Sequence, residues 1–258
     1  MVDARALLRR ARQEKRPPPR DGEGSAAPKP PPPPSPSPSP EPPPSQTPSC
    51  APPDALWPRE WRGLRILEDP TGSLSGGNGA TVWDSALVLA DFLSDLDSED
   101  WRGKRVLDLG AGCGLCSLAL AARGAVVLAS ERRIALPLLR RNVEANRAAV
   151  EGGAVEVVEF DWLSPDAAVL AEAFDVVVGA DLVFASNSAC HAPLAAIVGD
   201  LARRGARIYV ASELREGGHA VEAWLAALEA ADLAVTRLHV DGAPAELRVD
   251  KVEGVASR

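Results

Sequence analysis

The sequence contains few of the residues that build metal centres and disulfide frameworks. Four cysteines and three histidines are spread over 258 residues. Four scattered cysteines cannot form a disulfide framework, which favours a reducing compartment. His191, His219 and His239 have no neighbouring ligand set, so the residue pairs that zinc enzymes and hydrolases require are missing. We therefore expect no metal site.

One pair of cysteines, Cys113 and Cys116, has the spacing of a redox or zinc motif. A structural zinc site would need a second pair of ligands, which the sequence lacks. Both cysteines also fall in a glycine-rich turn. The pattern therefore favours two small buried side chains over a metal or redox site.

Long apolar runs are also absent. No stretch approaches the ~18 apolar residues needed to cross a bilayer, and residues 1–20 lack the continuous apolar core of a secretory signal. A mitochondrial presequence is the less favoured alternative, because Asp3 and Glu14 are acidic. We expect a cytoplasmic protein without a membrane partner, with the nucleus left open as a location.

Proline is concentrated at one end of the chain. Eighteen of the 24 prolines lie between Pro17 and Pro53, a segment with little apolar surface to bury. We predict a short basic segment over residues 1–16, a disordered proline-rich linker over 17–53 and one folded domain over 54–258. A second hypothesis for the linker is that it docks an SH3- or WW-type partner.

Charge is divided unevenly between these parts. Residues 1–53 carry eight Lys/Arg and five Asp/Glu, a net of +3, so the remaining chain is −11 because the total is −8. An acidic domain gains nothing from neutralising phosphates, which disfavours nucleic acid as a partner. It would instead attract a basic protein segment.

Short apolar runs alternate with helical patterns from Leu64 onward. Inner runs such as Val176-Val177-Val178 are almost entirely apolar, which is typical of strands covered on both faces. This alternation predicts an α/β fold with a doubly wound, mostly parallel seven-stranded sheet. The last two strands have no helix between them and should form an antiparallel hairpin at one edge. The predicted strands are 105–109, 126–129, 155–159, 174–179, 206–211, 233–239 and 246–252, and the predicted helices are 115–123, 136–146, 193–203 and 219–230.

A further helix is predicted upstream of this sheet. Thr81-Val82-Trp83-Asp84 fits a capping box with Thr81 as the N-cap, and the residues up to about Leu96 are apolar nearly all round. A glycine-rich stretch, residues 72–79, precedes this helix. We interpret the stretch either as a lid over a binding site or as a plain loop.

The strongest functional motif runs from Val106 to Gly114 and has the sequence VLDLGAGCG. It places Asp108 near the end of a strand, followed by glycines at 110, 112 and 114 that open a helix. Dinucleotide binding would require Gly-x-Gly-x-x-Gly, but the third glycine position is Leu115. Glycines let the backbone approach a ligand closely. The spacing suits the methionine end of S-adenosylmethionine, which carries no phosphate.

Acidic and aromatic residues follow the next three strands. Glu131 stands about 20 residues beyond the glycine turn, where a carboxylate can bind both ribose hydroxyls. Asp161 and Trp162 are placed for the adenine amino group and ring, and Asp181 and Phe184 follow the fourth strand. Because ligands bind at the carboxyl ends of parallel strands, these residues should share one site. Each of them alone could equally be a helix cap or a surface residue.

These motifs resemble the seven-β-strand protein lysine methyltransferases of methyltransferase family 16, in particular the methyltransferase-like 21 group. The resemblance covers about residues 79–212 and implies a Rossmann-like class I methyltransferase that uses S-adenosylmethionine. It rests on Val82-Trp83-Asp84, on residues 108–112, on Pro137-Leu138-Leu139 with Asn142, Val143 and Asn146, on Asp161-Trp162, and on residues 179–184.

The resemblance also implies roles for individual residues. Asp181 and Phe184 would border the acceptor channel as the catalytic residues, and the acceptor would be a lysine of a protein substrate. Residues 186–191 and 215–219 should contribute to acceptor choice, and we expect a monomer. Cofactor contacts would come from Trp83, Gly110, Ala111, Gly112, Glu131, Trp162 and Ala180, in addition to Asp108 and Asp161 from the strand-end pattern.

Two departures from the family pattern concern the site. Glu131 stands where aspartate is common, and Phe184 stands where tyrosine is common, so no hydroxyl is available there. Amide and adenine methyltransferases carry prolines after the fourth strand, and residues 181–184 contain none. A small-molecule or protein-histidine acceptor is an open alternative. A catalytically silent, cofactor-binding interaction module is another.

Overall fold

The computed structural model describes residues 56–96 and 101–254. All of them fall in one structural unit, Ser49–Arg258. The predicted basic segment 1–16 and proline-rich linker 17–53 lie outside the described residues, so the domain boundaries stay predictions. Within the described ranges, no helix is both long and apolar enough to span a bilayer.

The described residues form nine strands: β1 (Trp57–Trp61), β2 (Leu64–Glu68), β3 (Arg105–Leu109), β4 (Val126–Glu131), β5 (Ala154–Glu159), β6 (Val176–Ala180), β7 (Arg207–Glu213), β8 (Leu233–Leu238) and β9 (Leu247–Gly254). Seven of them form the main sheet in the order β5-β4-β3-β6-β7-β9-β8. Strands β3 to β7 pair in parallel, whereas β9 pairs antiparallel with both β7 and β8. The predicted doubly wound sheet with an antiparallel edge hairpin is confirmed.

Six α-helices are found in the described ranges: α1 (Asp84–Ser94), α2 (Leu115–Ala121), α3 (Leu136–Ala145), α4 (Ala167–Ala171), α5 (His191–Arg203) and α6 (His219–Ala230). Helix α4 has no predicted counterpart, because five residues are too few to show a helical period. The predicted capping box is wrong, since α1 begins at Asp84 with Trp83 as N-cap and without a side-chain cap. The Val82 N–H donates instead to the Glu68 carboxylate at 2.8 Å. The chain therefore stays extended up to Trp83.

The main sheet is covered on both faces, as its apolar strands predict. Along β3, Val106 packs into one buried cluster, whereas Leu107 and Leu109 pack into a second one. The first cluster contains side chains of α1 and α2, and the second contains side chains of α5 and α6. Because successive residues of a strand point to opposite faces, the sheet is held rigidly between two layers of helices.

The hairpin of β1 and β2 has no counterpart in the sequence-based prediction. Arg62 and Gly63 join its strands, both in the left-handed region with φ of 42° and 84°, as a tight hairpin turn requires. Strand β1 is largely exposed. It therefore lacks the apolar alternation by which a half-buried strand is recognised in a sequence.

Two asparagines of the α3 region attach this hairpin to the rest of the domain. Asn142 accepts from the Leu67 N–H at 2.8 Å and donates to the Leu67 carbonyl at 2.9 Å. Asn146 makes the same pair of bonds with Arg65, at 2.8 and 2.9 Å. Their spacing of four residues places them on one helix face. Asn142 also donates to the Cys113 carbonyl at 2.8 Å, which links the hairpin to the glycine turn.

The buried Asp69, just after β2, shapes the loop that follows. Its carboxylate accepts the backbone N–H groups of Ser73, Leu74 and Ser75 at 3.0, 2.6 and 2.8 Å, and the Thr71 hydroxyl at 3.1 Å. Burial acts to raise the pKa of Asp69, but these hydrogen bonds together outweigh it and lower the pKa to about 2. The folded protein thus stabilises the ionised form of Asp69.

We expect the substitution Asp69→Asn to destabilise the protein at neutral pH and to destabilise it less in acid. The pKa of Asp69 is lower when folded than its ordinary value of 3.8, so the stability it contributes is fully present above about pH 5 and is lost as the pH falls from about 4 to about 2. Urea unfolding of both proteins should show a gap in unfolding free energy at about pH 7 that narrows at about pH 3. A gap of constant size across this range would contradict the assignment.

The glycine-rich stretch 72–79 reaches from Asp69 to the glycine turn. The Ser75 hydroxyl and the Gly76 N–H donate to the Ile134 carbonyl at 3.0 and 3.4 Å. At the end of the stretch, a Cβ added to Gly79 would lie only 3.4 Å from the Cα of Gly112. The stretch therefore covers one side of the glycine turn, and its opening and closing as a lid stays a prediction.

Candidate functional site

A cavity of about 180 Å³ lies at the carboxyl edge of the main sheet. It adjoins the ends of β3 and β6, the neighbouring strands where the strand order reverses, and this is where open α/β sheets bind ligands. We call it the cofactor cavity. Nine of the eleven predicted site residues line it: Trp83, Gly110, Gly112, Glu131, Asp161, Trp162, Ala180, Asp181 and Phe184.

The glycine turn after β3 forms one wall of this cavity. Gly110 and Gly112 have φ of 65° and 55°, values that side chains with a Cβ rarely adopt. A Cβ on Gly110 would also come within 3.1 Å of the Trp162 ring. The absence of a side chain at Gly110 thus keeps space open beside Trp162.

Glu131, the last residue of β4, lies next to this turn. Its carboxylate accepts the N–H of Gly112 at 3.1 Å and the N–H of Arg132 at 2.8 Å. Burial raises the pKa of Glu131, while these two donors oppose the shift. Because a carboxylate can accept about four hydrogen bonds, Glu131 keeps acceptor capacity for hydroxyl groups of a ligand.

Asp108 and Ala111 are the two predicted residues that do not line the cofactor cavity. They line a smaller cleft of about 30 Å³ beneath the glycine turn. The buried Asp108 accepts the Ser117 hydroxyl at 2.6 Å. Burial raises its pKa to about 7, to which the charge of Glu131 adds. The structure therefore places Asp108 under the turn, and its direct contact with a cofactor stays a prediction.

Asp161 and Trp162 close the cofactor cavity on the side of β5. The Asp161 carboxylate accepts the N–H of Leu163 at 2.9 Å, which holds it at the start of the connection after the strand. Trp162 is half-buried and packs against the second core cluster. The cavity wall therefore combines a polar acceptor with an aromatic side chain.

A second cavity, of about 380 Å³, adjoins the first. We call it the acceptor cavity. Asn78, Trp83, Asp181 and Phe184 line both cavities. The acceptor cavity is further lined by Val183, Ala185, Ser186, Glu213, Arg215, His219, Ala220 and Val221. Parts of the predicted acceptor segments 186–191 and 215–219 therefore lie at the same place as the predicted catalytic residues.

Asp181 stands between the two cavities with only 5% of its side chain exposed. It has a φ of 51°, in the left-handed region that aspartate and asparagine tolerate better than most residues. Its two carboxylate oxygens accept the N–H of Glu213 at 2.9 Å and the guanidinium of Arg215 at 2.7 Å. The geometry thus gives Asp181 a fixed orientation and an internal cationic partner.

Phe184 is positioned by hydrogen bonds to its backbone. Its N–H donates to Asn187 Oδ1 at 2.9 Å, and its carbonyl lies 3.1 Å from His191 Nε2. Asn187 also donates to the Leu182 carbonyl at 2.8 Å. His191 therefore serves to orient the segment after β6.

Several lining residues were not among those predicted, notably Glu213, which lies outside both predicted acceptor segments. The prediction ends the fifth inner strand at residue 211, whereas β7 continues to Glu213 through pairing with β9. If the strand had been predicted to end at residue 213, Glu213 would have been selected as a site residue for the same reason as Asp181, because ligands bind at the carboxyl ends of parallel strands. No sequence signal pointed to Arg132, and Asn78 and Gly79 were noted only as part of the glycine-rich stretch 72–79. All three reach the cofactor cavity through folding of the loops.

Cys113 and Cys116 lie in and after the glycine turn with buried thiols. Each thiol faces a backbone carbonyl, of Gly79 at 3.5 Å and of Ala86 at 3.6 Å. Burial raises the pKa of Cys113 to about 12, and burial also raises the pKa of Cys116. Both thiols therefore stay protonated at neutral pH and act as small packing groups.

The strand order and the glycine turn at the end of β3 define a Rossmann-like class I methyltransferase fold. A candidate transferase from Pyrococcus horikoshii shares this fold with a TM-score of 0.52 and 16% identity, over 77% of this chain and 71% of that chain. Residues 60–230 match the lysine methyltransferase family. The chain belongs to the lysine methyltransferase family.

Two relatives show how far the similarity extends. Protein N-lysine methyltransferase METTL21A of Danio rerio is 39% identical over 108 residues, which cover 42% of this chain and 49% of the relative. EEF1A lysine methyltransferase 3 of Mus musculus is 37% identical over 108 residues, which cover 42% and 45%. The chain thus spans about half the length of these relatives, and the similarity supports the predicted methyltransferase-like 21 group.

Proposed function

We propose that this protein is an S-adenosylmethionine-dependent protein-lysine N-methyltransferase. The observation that carries the proposal is the pair of adjoining cavities at the carboxyl edge of the main sheet. One is lined by the glycine turn and Glu131, and the other by Asp181 and Phe184. A methyl donor and an acceptor side chain can therefore meet at the residues that line both.

The residues of the cofactor cavity fit S-adenosylmethionine in their chemistry. Glu131 would accept the ribose hydroxyls, and Asp161 would accept the adenine amino group beside the Trp162 ring. Gly110 and Gly112, both with positive φ and without a Cβ, would let the methionine end lie close to the backbone of the turn. When bound, S-adenosylmethionine supplies a methyl group that its sulfonium already makes electrophilic.

On the acceptor side, the protein has to orient an amine and keep water away. A lysine ammonium has no lone pair and must lose a proton before it can be methylated. The negative charge of Asp181 would draw the ammonium to the boundary of the two cavities, and the proton would leave to water. Phe184 would wall the channel with a ring face that favours cationic groups. Asp181 itself is a poor base for this proton, because a carboxylate is far less basic than an amine.

The nature of the acceptor is inferred from the relatives and from charge. METTL21A and EEF1A lysine methyltransferase 3 are named for lysine methylation of proteins. The chain after residue 53 carries a net charge of −11, which would attract a lysine-rich protein segment. A protein substrate thus fits both observations better than a nucleic acid does.

Labelling of a cell extract tests this proposal directly. The purified chain is incubated with extract and tritiated S-adenosylmethionine, and labelled bands are analysed by mass spectrometry. We expect a protein band that carries methyl-lysine and that is lost when the Asp181→Asn variant replaces the wild type. Label in small molecules, or on histidine, would overturn the lysine assignment. No label from a preparation that binds cofactor by calorimetry would favour a silent cofactor-binding module.

A further inference from the structure

Arg215 lines the acceptor cavity and contacts Asp181 and Trp83, two residues that line both cavities. Its guanidinium lies 4.8 Å from the centroid of the Trp83 ring, within the distance of a cation–π contact. It also binds the Asp181 carboxylate at 2.7 Å and pairs with Glu213. An aromatic face and two carboxylates thus surround one cation, and that cation belongs to the chain itself.

The carboxylate of Asp181 is therefore not free to bind the ammonium group of a substrate lysine. One of its oxygens accepts a backbone N–H of Glu213, and the other accepts the Arg215 guanidinium. An incoming ammonium would have to share Asp181 with a like charge, which is unfavourable at a site that is 5% exposed. Either Arg215 leaves, or the acceptor binds elsewhere.

We propose that Arg215 occupies the cation position of the acceptor and that the basic side chain of the substrate displaces it. Arg215 would then set the affinity for the substrate, with Glu213 and Trp83 joining Asp181 as recognition groups. This inference rests on the proposed function, since it assigns the acceptor position within the same site. The exchange of one cation for another leaves the charge balance of the cavity unchanged, so Asp181 is never buried without a partner.

The surroundings of Arg215 permit such an exchange. A third of its side chain, 34%, is exposed to solvent, and so is the same share of Glu213. Arg215 begins the short 3-10 helix Arg215–Gly218, whose last two residues, Gly217 and Gly218, both have positive φ. The incoming cation would take over the contacts of Arg215 with Asp181 and Trp83, so the buried carboxylate keeps a partner throughout. Displacement therefore costs little compared with the binding energy of a protein substrate.

The test measures cation binding rather than catalysis. The probe is n-butylammonium, which reproduces the end of a lysine side chain, titrated into the ¹⁵N-labelled full chain without cofactor. The Trp83 indole N–H, which donates to the Asn78 carbonyl at 2.8 Å, reports on the cavity and can be assigned with the Trp83→Phe variant. We expect Arg215→Gln to bind the probe about fivefold more tightly than the wild type does, because the probe no longer has to displace Arg215 from Asp181. The neutral n-pentanol should show no such gain.

Arg62→Gln is the matched control. Arg62 lies 5.2 Å from the Trp61 ring centroid and pairs with Asp91 and Asp95, both at 2.8 Å. It therefore has the same type of contacts and the same charge, but it lines neither cavity. Its substitution should leave probe binding unchanged, which separates a local effect from a change in net charge.

The outcomes separate this inference from the proposed function. Unchanged or weaker probe binding in Arg215→Gln, or no binding to either protein, overturns the displacement of Arg215. A gain in Arg215→Gln that disappears in the double variant with Asp181→Asn supports it. Binding of S-adenosylhomocysteine, measured separately by calorimetry, tests the cofactor cavity. If the wild type does not bind S-adenosylhomocysteine, the proposed function is overturned, whereas the result for Arg215 is unaffected.

Discussion

Asp181→Asn is expected to abolish methyl transfer while leaving cofactor binding nearly intact. Asparagine tolerates the φ of 51° at this position, and its amide oxygen can still accept the N–H of Glu213. The substitution removes the negative charge that would draw and orient the acceptor ammonium. We expect turnover with tritiated cofactor to fall about 100-fold or more, the scale of a misplaced reacting group. The dissociation constant of the cofactor, measured by calorimetry, should change little.

Asp232→Asn is the matched control, because it makes the same substitution at another aspartate with a left-handed backbone. Asp232 also has a left-handed backbone, with φ of 60°. It precedes β8, which runs in the same direction as β7, so it lies at the opposite edge of the main sheet from the cavities. This variant should turn over like the wild type. If Asp181→Asn also keeps turnover within about tenfold of the wild type, Asp181 has no catalytic role.

Glu131→Ala is expected to weaken binding of the cofactor. The variant loses the carboxylate that would accept the ribose hydroxyls, and it releases the Gly112 N–H that Glu131 holds at 3.1 Å. A lost charged hydrogen bond costs roughly 1.5–3 kcal/mol, which corresponds to a dissociation constant raised about tenfold to about 100-fold. Calorimetric titration with S-adenosylhomocysteine measures this constant without any need for an acceptor.

The neighbouring strand offers a matched control for this variant. Glu159 ends β5 directly beside Glu131 in the sheet register, and it pairs with Arg133 at 3.1 Å. It does not line the cofactor cavity. Glu159→Ala should therefore leave the dissociation constant unchanged. A similar constant for Glu131→Ala and the wild type would refute the ribose assignment.

Most of the main sheet was predictable because its signals are local. The apolar runs of β3 and β6 identify strands covered on both faces, and the helical periods between them impose parallel crossovers. The antiparallel edge hairpin followed from the missing helix between the last two strands. The position of β9 between β7 and β8 was not predictable, since pairing order depends on contacts that are remote in sequence.

The functional site was likewise predictable where its signals are local and not where it depends on contacts remote in sequence. Glu131, Trp162 and Asp181 could be selected because each lies at or just after the end of a strand, and strand ends of a parallel sheet converge at one edge. The start of α1 was misplaced, because Glu68 binds the Val82 N–H from another part of the chain. The partner of Asp181 was not recognised, because Arg215 lies 34 residues away in sequence.

By itself, the sequence determined the order along the chain of the seven main-sheet strands and of every described α-helix but α4, the glycine turn, and the set of residues at the strand ends. Periodicity and backbone freedom are properties of neighbouring residues, so they are visible without coordinates. Only the tertiary structure decided how β1 and β2 attach through Asn142 and Asn146, and which cation stands beside Asp181. Those contacts join distant segments, and their energies depend on burial and distance that only the folded chain establishes.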